Sequence, residues 1–264
     1  MSARPTPAFD PLLLSRIEDA GLNASAPPQQ RWLDGWLVRF SPGKAKRARC
    51  VNAVAAGSLP LDTRLALAQV VFDDAKLPMV VRITPFSLPK DLDQRLEQLG
   101  WPRIDDTRVM ARTSLADLPD DALPEGLVWQ TLGHHALAQA VGLMRASPLA
   151  QCQAHAQRLE LSPVPFQARA IRREADGALL AVGQFAREAD LVGLYDIFTA
   201  DASRGQGLAG KLCTRLLAIA RDEGARSAYL QVEGDNHAAR RVYQRLGFAD
   251  GYAYHYRVRR GDAA

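Results

Sequence analysis

Cysteine is scarce. Cys50, Cys152 and Cys213 are the only three in 264 residues, an odd number without Cys-x-x-Cys or histidine spacing, which excludes a disulfide framework and a zinc ribbon. They are expected as buried thiols in a reducing cytoplasm. No uninterrupted apolar run approaches the roughly 18 residues a membrane helix needs. The N-terminal Met1-Ser-Ala-Arg-Pro-Thr-Pro7 meets Asp10 and Pro11 before a short leucine run, so it lacks the apolar centre of a secretory signal. A soluble, cytoplasmic protein without a membrane partner is expected. Charge of one sign is also missing: 33 basic against 29 acidic residues leave +4, too little and too dispersed for a nucleic-acid partner. With 47% hydrophobic and 23% charged residues, and proline and glycine at ordinary frequency, disordered and fibrous classes are excluded. The length suits one large domain or two ordinary ones.

Hydrophobic periodicity alternates between 3.6 and 2 along the chain, which predicts a mixed α/β pattern. In the first part it predicts helices over 10 to 21, 61 to 75 and 89 to 99, with strands at 36 to 40, 47 to 54, 79 to 84 and 107 to 112. The stretch Leu115-Ala-Asp-Leu-Pro-Asp-Asp-Ala-Leu-Pro-Glu-Gly126 carries no period and reads as a linker. Beyond it come strands at 127 to 132, 166 to 173, 178 to 187, 191 to 199, 227 to 233 and 252 to 258, with helices over 134 to 145, 150 to 161, 207 to 223 and 236 to 246. A weak internal echo pairs Arg95-Leu-Glu-Gln-Leu-Gly-Trp101 with Val242-Tyr-Gln-Arg-Leu-Gly-Phe248. Both end a helix on a glycine suited to the left-handed conformation.

The most informative stretch is Arg204-Gly205-Gln206-Gly207-Leu208-Ala209-Gly210-Lys211, where a strand passes through a short loop into a helix. Small residues leave the first-turn N–H groups uncovered, and those groups with the positive end of the helix dipole suit an anion, phosphate above all. Gly205-x-Gly207-x-x-Gly210 formally meets the dinucleotide fingerprint, but too little chain follows it for the strands that fold needs. Gly205 to Lys211 also imitates a nucleotide-hydrolase phosphate loop, yet Leu212 stands where a magnesium-binding hydroxyl belongs. No metal is expected.

Arg204-x-x-Gly207-x-Ala209 resembles the acyl-CoA loop of the GCN5-related N-acetyltransferase (GNAT) superfamily, Gln/Arg-x-x-Gly-x-Gly/Ala. Asn236-x-x-Ala239-x-x-Val242-Tyr243-x-x-x-Gly247-Phe248 meets every fixed position of that superfamily's second signature, Asn-x-x-Ala-x-x-Leu/Val-Tyr-x-x-x-Gly-Phe. The Asp-Gly-Trp36-Leu-Val-Arg and Tyr254-His-Tyr-Arg segments further resemble tandem bacterial members. The resemblance implies an α/β (α+β) fold of two GNAT-like domains, each a mixed, mostly antiparallel twisted sheet flanked by helices. It implies a degenerate domain over 1–114, a linker over 115–126 and a catalytic domain over 127–264.

The same resemblance implies acetyl-CoA as co-substrate and a small-molecule or peptide amine as acceptor, of unidentified kind. The residues Arg204, Gly205, Gln206, Gly207, Leu208, Ala209, Gly210 and Lys211 would hold the pyrophosphate, Phe198 and Thr199 the pantetheine amides, and Asn236, Ala239 and Arg240 further parts of the cofactor. Tyr243 would touch the cofactor and protonate the departing thiolate. Two carboxylates compete as general base: Glu233, on the face of strand 227 to 233 that carries Tyr229 and Gln231, and Asp196, expected to share an apolar face with Val192, Leu194 and Phe198 that would raise its pKa. His255 is a further, more ordinary candidate. Asn236 is also a natural helix N-cap, Tyr243 suits a core position, and Cys213 suits packing. A non-catalytic acyl-CoA-binding module is the competing reading. Residues 1 to 114 are expected to bind no CoA, since Pro60 lacks an N–H where a phosphate cradle would need one.

Overall fold

The computed structural model describes residues 9–42 and 45–262. Helices α1 (Pro11–Ala24), α2 (Leu61–Asp74), α3 (Leu92–Gln98), α4 (His134–Met144), α5 (Leu149–Glu160), α6 (Leu208–Asp222) and α7 (His237–Arg245) alternate with eleven strands. The strands are β1 (Gln30–Leu33), β2 (Trp36–Arg39), β3 (Val51–Asn52), β4 (Val80–Ile83), β5 (Arg103–Arg112), β6 (Leu127–Leu132), β7 (Phe166–Arg173), β8 (Leu179–Glu188), β9 (Leu191–Thr199), β10 (Ser227–Glu233) and β11 (Ala249–Val258). Two compact units emerge, and neither is contiguous in sequence. Among the described residues, the first comprises 9–24, 109–232 and 236–251; the second comprises 25–42, 45–108, 233–235 and 252–262. β5 and β11 are thus divided between the units.

In the first unit the strand order β5-β10-β9-β8-β7-β6 is antiparallel from β6 to β9 and parallel between β9 and β10. α6 supplies the stripe Leu208, Leu212, Leu216 and Ala220, all fully or almost fully buried. The stripe packs with Phe185, Leu194, Leu230 and Val232 into one core, and each buried leucine contributes about 1.5–3 kcal/mol. Gly183 permits this approach, because a Cβ there would stand 2.5 Å from the Ile197 side chain and 3.2 Å from Leu212. On the opposite face Leu137 and Val141 of α4 and Leu159 of α5 join Phe166, Ala168 and Val182 in a second core.

The expected linker lies inside this first unit. Leu115 is buried in the α6 core, and Arg112 bonds to Ser114 O (2.6 Å), to Asp117 Oδ1 (2.6 Å) and to the Leu246 carbonyl. Buried arginine with satisfied donors ties the segment down more firmly than its composition suggests. The expected division into 1–114 and 127–264 also differs at both ends: α1 groups with the first unit, and 252–264 with the second.

The second unit orders its strands β1-β2-β3-β4-β11, with α2 and α3 burying Phe72, Leu92 and Leu96 beside Trp36, Met79 and Val81. The strand expected at 47 to 54 shortens to β3, because Lys46–Ala48 form a 3₁₀ turn. β1 was not expected; it pairs with β2 through backbone while Gln30, Arg31 and Trp32 stay exposed. Its residues show no alternation to read.

Candidate active site

β9 and β10 are hydrogen-bonded in parallel only from Leu191/Ser227 to Leu194/Leu230, although β9 runs on to Thr199 and β10 to Glu233. Past Leu194 the paired register of β9 with β10 ends, and the strand's run to Thr199 offers peptide groups that an extended ligand can pair with. The same strand leads into the glycine loop. Gly205 and Gly207 adopt φ +79 and +76, the left-handed region that glycine reaches without strain. Gly207 is the N-cap of α6 and brings no side-chain cap. Space is open around the Cβ positions of Gly205, Gly207 and Gly210, with nothing within 4 Å. The first turn of α6 is therefore an uncapped cluster of N–H groups at the positive helix end, the physical description of an oxyanion cradle.

Polar side chains around the loop already have partners. Arg204 pairs with Asp201 at 2.6 Å, Lys211 Nζ reaches Asp120 O at 3.0 Å and its carboxylate at 3.2 Å, and Gln206 donates to Ala202 O at 3.5 Å. Leu208 is buried in the core and Ala209 half-buried. The cradle is thus made by backbone.

α7 begins at Asn236, whose side chain accepts from Ala239 N at 3.1 Å, so the N-cap role is real. Arg240 donates to Asp250 at 2.6 Å. Tyr243 is buried in the α6 core, edge-on to Phe248. Burial, with Cys213 nearby, pushes its hydroxyl far above the usual tyrosine range, so it stays protonated at any working pH. Cys213 is fully buried and its thiol is pushed up to about 12 by desolvation; it is a packing residue.

Asp196 departs from expectation. A bulge between Val182 and Gln184 of β8 breaks the register beside it, and Asp196 itself has φ +50. Strict alternation therefore fails: Val192 and Leu194 face the α6 core, whereas Tyr195 and Phe198 pack towards α4 and α5. Asp196 meets His155 Nε2 at 3.2 Å, Arg145 Nη2 at 3.5 Å and the donating Gln184 Nε2 at 2.7 Å. Burial alone raises its carboxyl, but the hydrogen bond and charge of His155, with Arg145 and Arg158, outweigh it and hold the group well below the usual carboxylate range. It is a fixed anion, and its expected elevation is overturned. Phe198 lies under Arg145, 4.4 Å from ring centroid to guanidinium carbon. His155, Arg145 and Gln184 were not singled out in the sequence.

Glu233 is exposed at the end of β10 and groups with the second unit, where the neighbouring Gly234 N donates to Asp106 O at 2.8 Å. His255 also belongs there, 2.9 Å from Asp93, in a bond that accounts for it structurally.

Residues 14–259 match the family described as "Probable histone acetyltransferase Rv0428c C-terminal". The chain belongs to this family. Over 235 residues it is 25% identical to the "Uncharacterized N-acetyltransferase YobR" of Bacillus subtilis (strain 168), spanning 88% of this chain and 92% of that protein. Among solved structures, a GCN5-related N-acetyltransferase from Kribbella flavida aligns with a TM-score of 0.65 at 16% identity, covering 94% of this chain and 95% of that one. A tandem GNAT protein from the clavulanic acid biosynthesis pathway aligns at 0.60 and 16% identity, covering 77% and 70%. The fold is thus the mixed α/β fold expected, like that of these GNAT structures. Among the described residues no helix is long and apolar enough to cross a membrane.

The second unit's counterpart of the cradle is filled from within. At the entry to α2, Ser58 N donates to both Asp34 carboxylate oxygens (2.9 and 3.0 Å), Leu59 N donates at 2.8 Å and Ser58 Oγ at 2.8 Å. Gly57 has no room for a side chain, since its Cβ would stand 2.3 Å from Asp34 O. The Ser58 N–H, then that of Leu59, lowers the Asp34 carboxyl below its ordinary value. A carboxyl depressed by folding stabilises above its unfolded pKa and loses that contribution as pH falls through the folded one. Thermal melts of Asp34→Asn between pH 7 and pH 2 should therefore show a shallower acid-side loss than the wild type. Parallel curves would remove the carboxylate from the account.

Proposed function

We propose that the first unit transfers an acetyl group from acetyl-CoA to a primary amine by direct attack on the thioester. One observation carries this reading: the parting of β9 from β10 opens a peptide edge that leads straight into the uncapped N-terminus of α6. The edge at Phe198 and Thr199 would pair with the pantetheine amides, and the amides of 205 to 211 would take the pyrophosphate. An N–H of the same edge would donate to the oxygen where negative charge develops during attack. Tyr243, held protonated, would give its proton to the leaving thiolate. Asn236 and Ala239 would touch the cofactor from the start of α7. Asp34 already supplies the anion in the second unit, so one cofactor per chain is proposed.

The test is release of free thiol from acetyl-CoA, read with a thiol dye, across spermidine, tyramine, free lysine, kanamycin and an alanine-terminated tetrapeptide. At least one amine should be turned over, and calorimetry should return one acetyl-CoA per chain. Binding without thiol release for any nucleophile would leave a non-catalytic acyl-CoA module. A second bound equivalent would overturn the assignment of the second unit.

A further inference from the structure

An alkylamine is protonated near neutral pH and cannot attack until a base removes its proton. We propose that His155 takes that proton and that Asp196 is its positioning residue. The inference rests on the acetyl-transfer reading above, and it names a base that reading lacks.

Three observations carry it. Asp196 sits within the open stretch of β9, two residues past the last β10 pair at Leu194, so whatever it holds lies beside the edge that would carry the thioester. His155 is brought there from α5, its Nε2 3.2 Å from Asp196 Oδ2, with both side chains largely buried, 16% and 14% exposed. Nε2 makes no hydrogen bond of good geometry among the described residues, so proximity and charge hold it to Asp196. A carboxylate beside Nε2 favours the tautomer with its proton there, leaving the Nδ1 lone pair to accept another. Gln184, wholly buried, donates to the same carboxylate oxygen at 2.7 Å while its own Oε1 stays without a partner. A buried oxygen left unsatisfied is costly, and a catalytic role is one of the reasons such a cost is kept.

Asp196 itself is a poor base. His155, Arg145 and Arg158 are the charged groups acting on it, and all three favour its ionised form. A carboxylate so stabilised has little affinity for a proton, whereas the imidazole it orients offers a ring-nitrogen lone pair. The acceptor ammonium gives one proton to Nδ1, the neutral amine forms the C–N bond, and the C–S bond breaks. The nitrogen then gives its second proton to water, the thiolate takes one from Tyr243, and water reprotonates Tyr243. His155 returns its proton to water.

The experiment compares two nucleophiles of different basicity with the full-length protein: the panel amine turned over fastest, and hydroxylamine, which is already neutral at pH 7 and needs no base. His155→Gln keeps a donor towards Asp196 but cannot accept a proton. It should lower kcat/KM for the alkylamine by about 10²-fold or more and leave the hydroxylamine rate and acetyl-CoA affinity close to wild type. Asp196→Asn should depress the alkylamine rate in the same selective way, with the hydroxylamine rate kept. Melting curves verify folding, and Asp196→Asn decides the matter if His155→Gln does not fold. Equal losses with both nucleophiles, or no loss, would overturn the inference while leaving acetyl transfer intact. So would a wild type that acetylates hydroxylamine but no alkylamine. A wild type that binds acetyl-CoA and acetylates neither would overturn the transfer reading itself.

Discussion

Gly210→Glu should leave the protein folded and unable to hold acetyl-CoA. Gly210 is the third residue of α6, its φ is not positive and nothing lies within 4 Å of its Cβ position. Replacing a helical glycine by glutamate gains up to about 1 kcal/mol in propensity, and an acid in the first turn complements the helix dipole. At this third position its carboxylate can also reach back to the N-cap N–H. Every local effect on the fold is favourable. Every effect on a pyrophosphate is unfavourable, because a fixed anion then occupies the cradle. Affinity should fall on the order of 10²-fold, about 2.7 kcal/mol, while the melting temperature holds or rises. Gly207 is the less clean target, since any side chain at φ +76 is strained whatever its charge. Calorimetric titration with parallel melting curves is the measurement. Unchanged affinity would remove the α6 N-terminus from the site.

Tyr243→Phe should cost catalysis and little else. The ring fills the α6 core against Phe248, and phenylalanine keeps that packing. If the hydroxyl protonates the thiolate, turnover should fall by roughly 10²-fold, the scale of one general acid. Acetyl-CoA affinity should barely change. A kcat equal to wild type would reduce Tyr243 to a core residue.

Much of the fold was legible because each element carries its own period. α6 could be read from Leu208, Leu212 and Leu216, and β10 from the alternation of Ala228, Leu230 and Val232, all of which enter one core. The glycines at 100 and 247 were legible as helix terminators and have φ +76 and +81. What escaped were features set by partners distant in sequence. β1 has no apolar face of its own and exists through its backbone pairing with β2. Asp196 was misread because alternation assumes an unbroken ladder, and a bulge lies beside it. His155 carries no motif, and its one signal was position: it falls between Cys152 and Leu159 on the turn of α5 that also presents buried Ala156. The expected linker and the two compact units differ because composition reports solvation of a segment, not the buried Arg112 and Leu115 that anchor it.

The interleaving of the two units has a temporal consequence. Arg16 and Asp190, 174 residues apart, form an ion pair within the first unit, and Asn23 reaches Glu188 across 165 residues. The second unit recruits 252–258 of β11 beside β4, with His255 opposite Ile83. During synthesis at about 5–20 residues per second, α1 therefore leaves the ribosome many seconds before its partners exist. The second unit waits still longer for its last strand. Neither unit can close vectorially, so the nascent chain carries both units unfinished until translation has passed residue 251, and the second until it has passed 258.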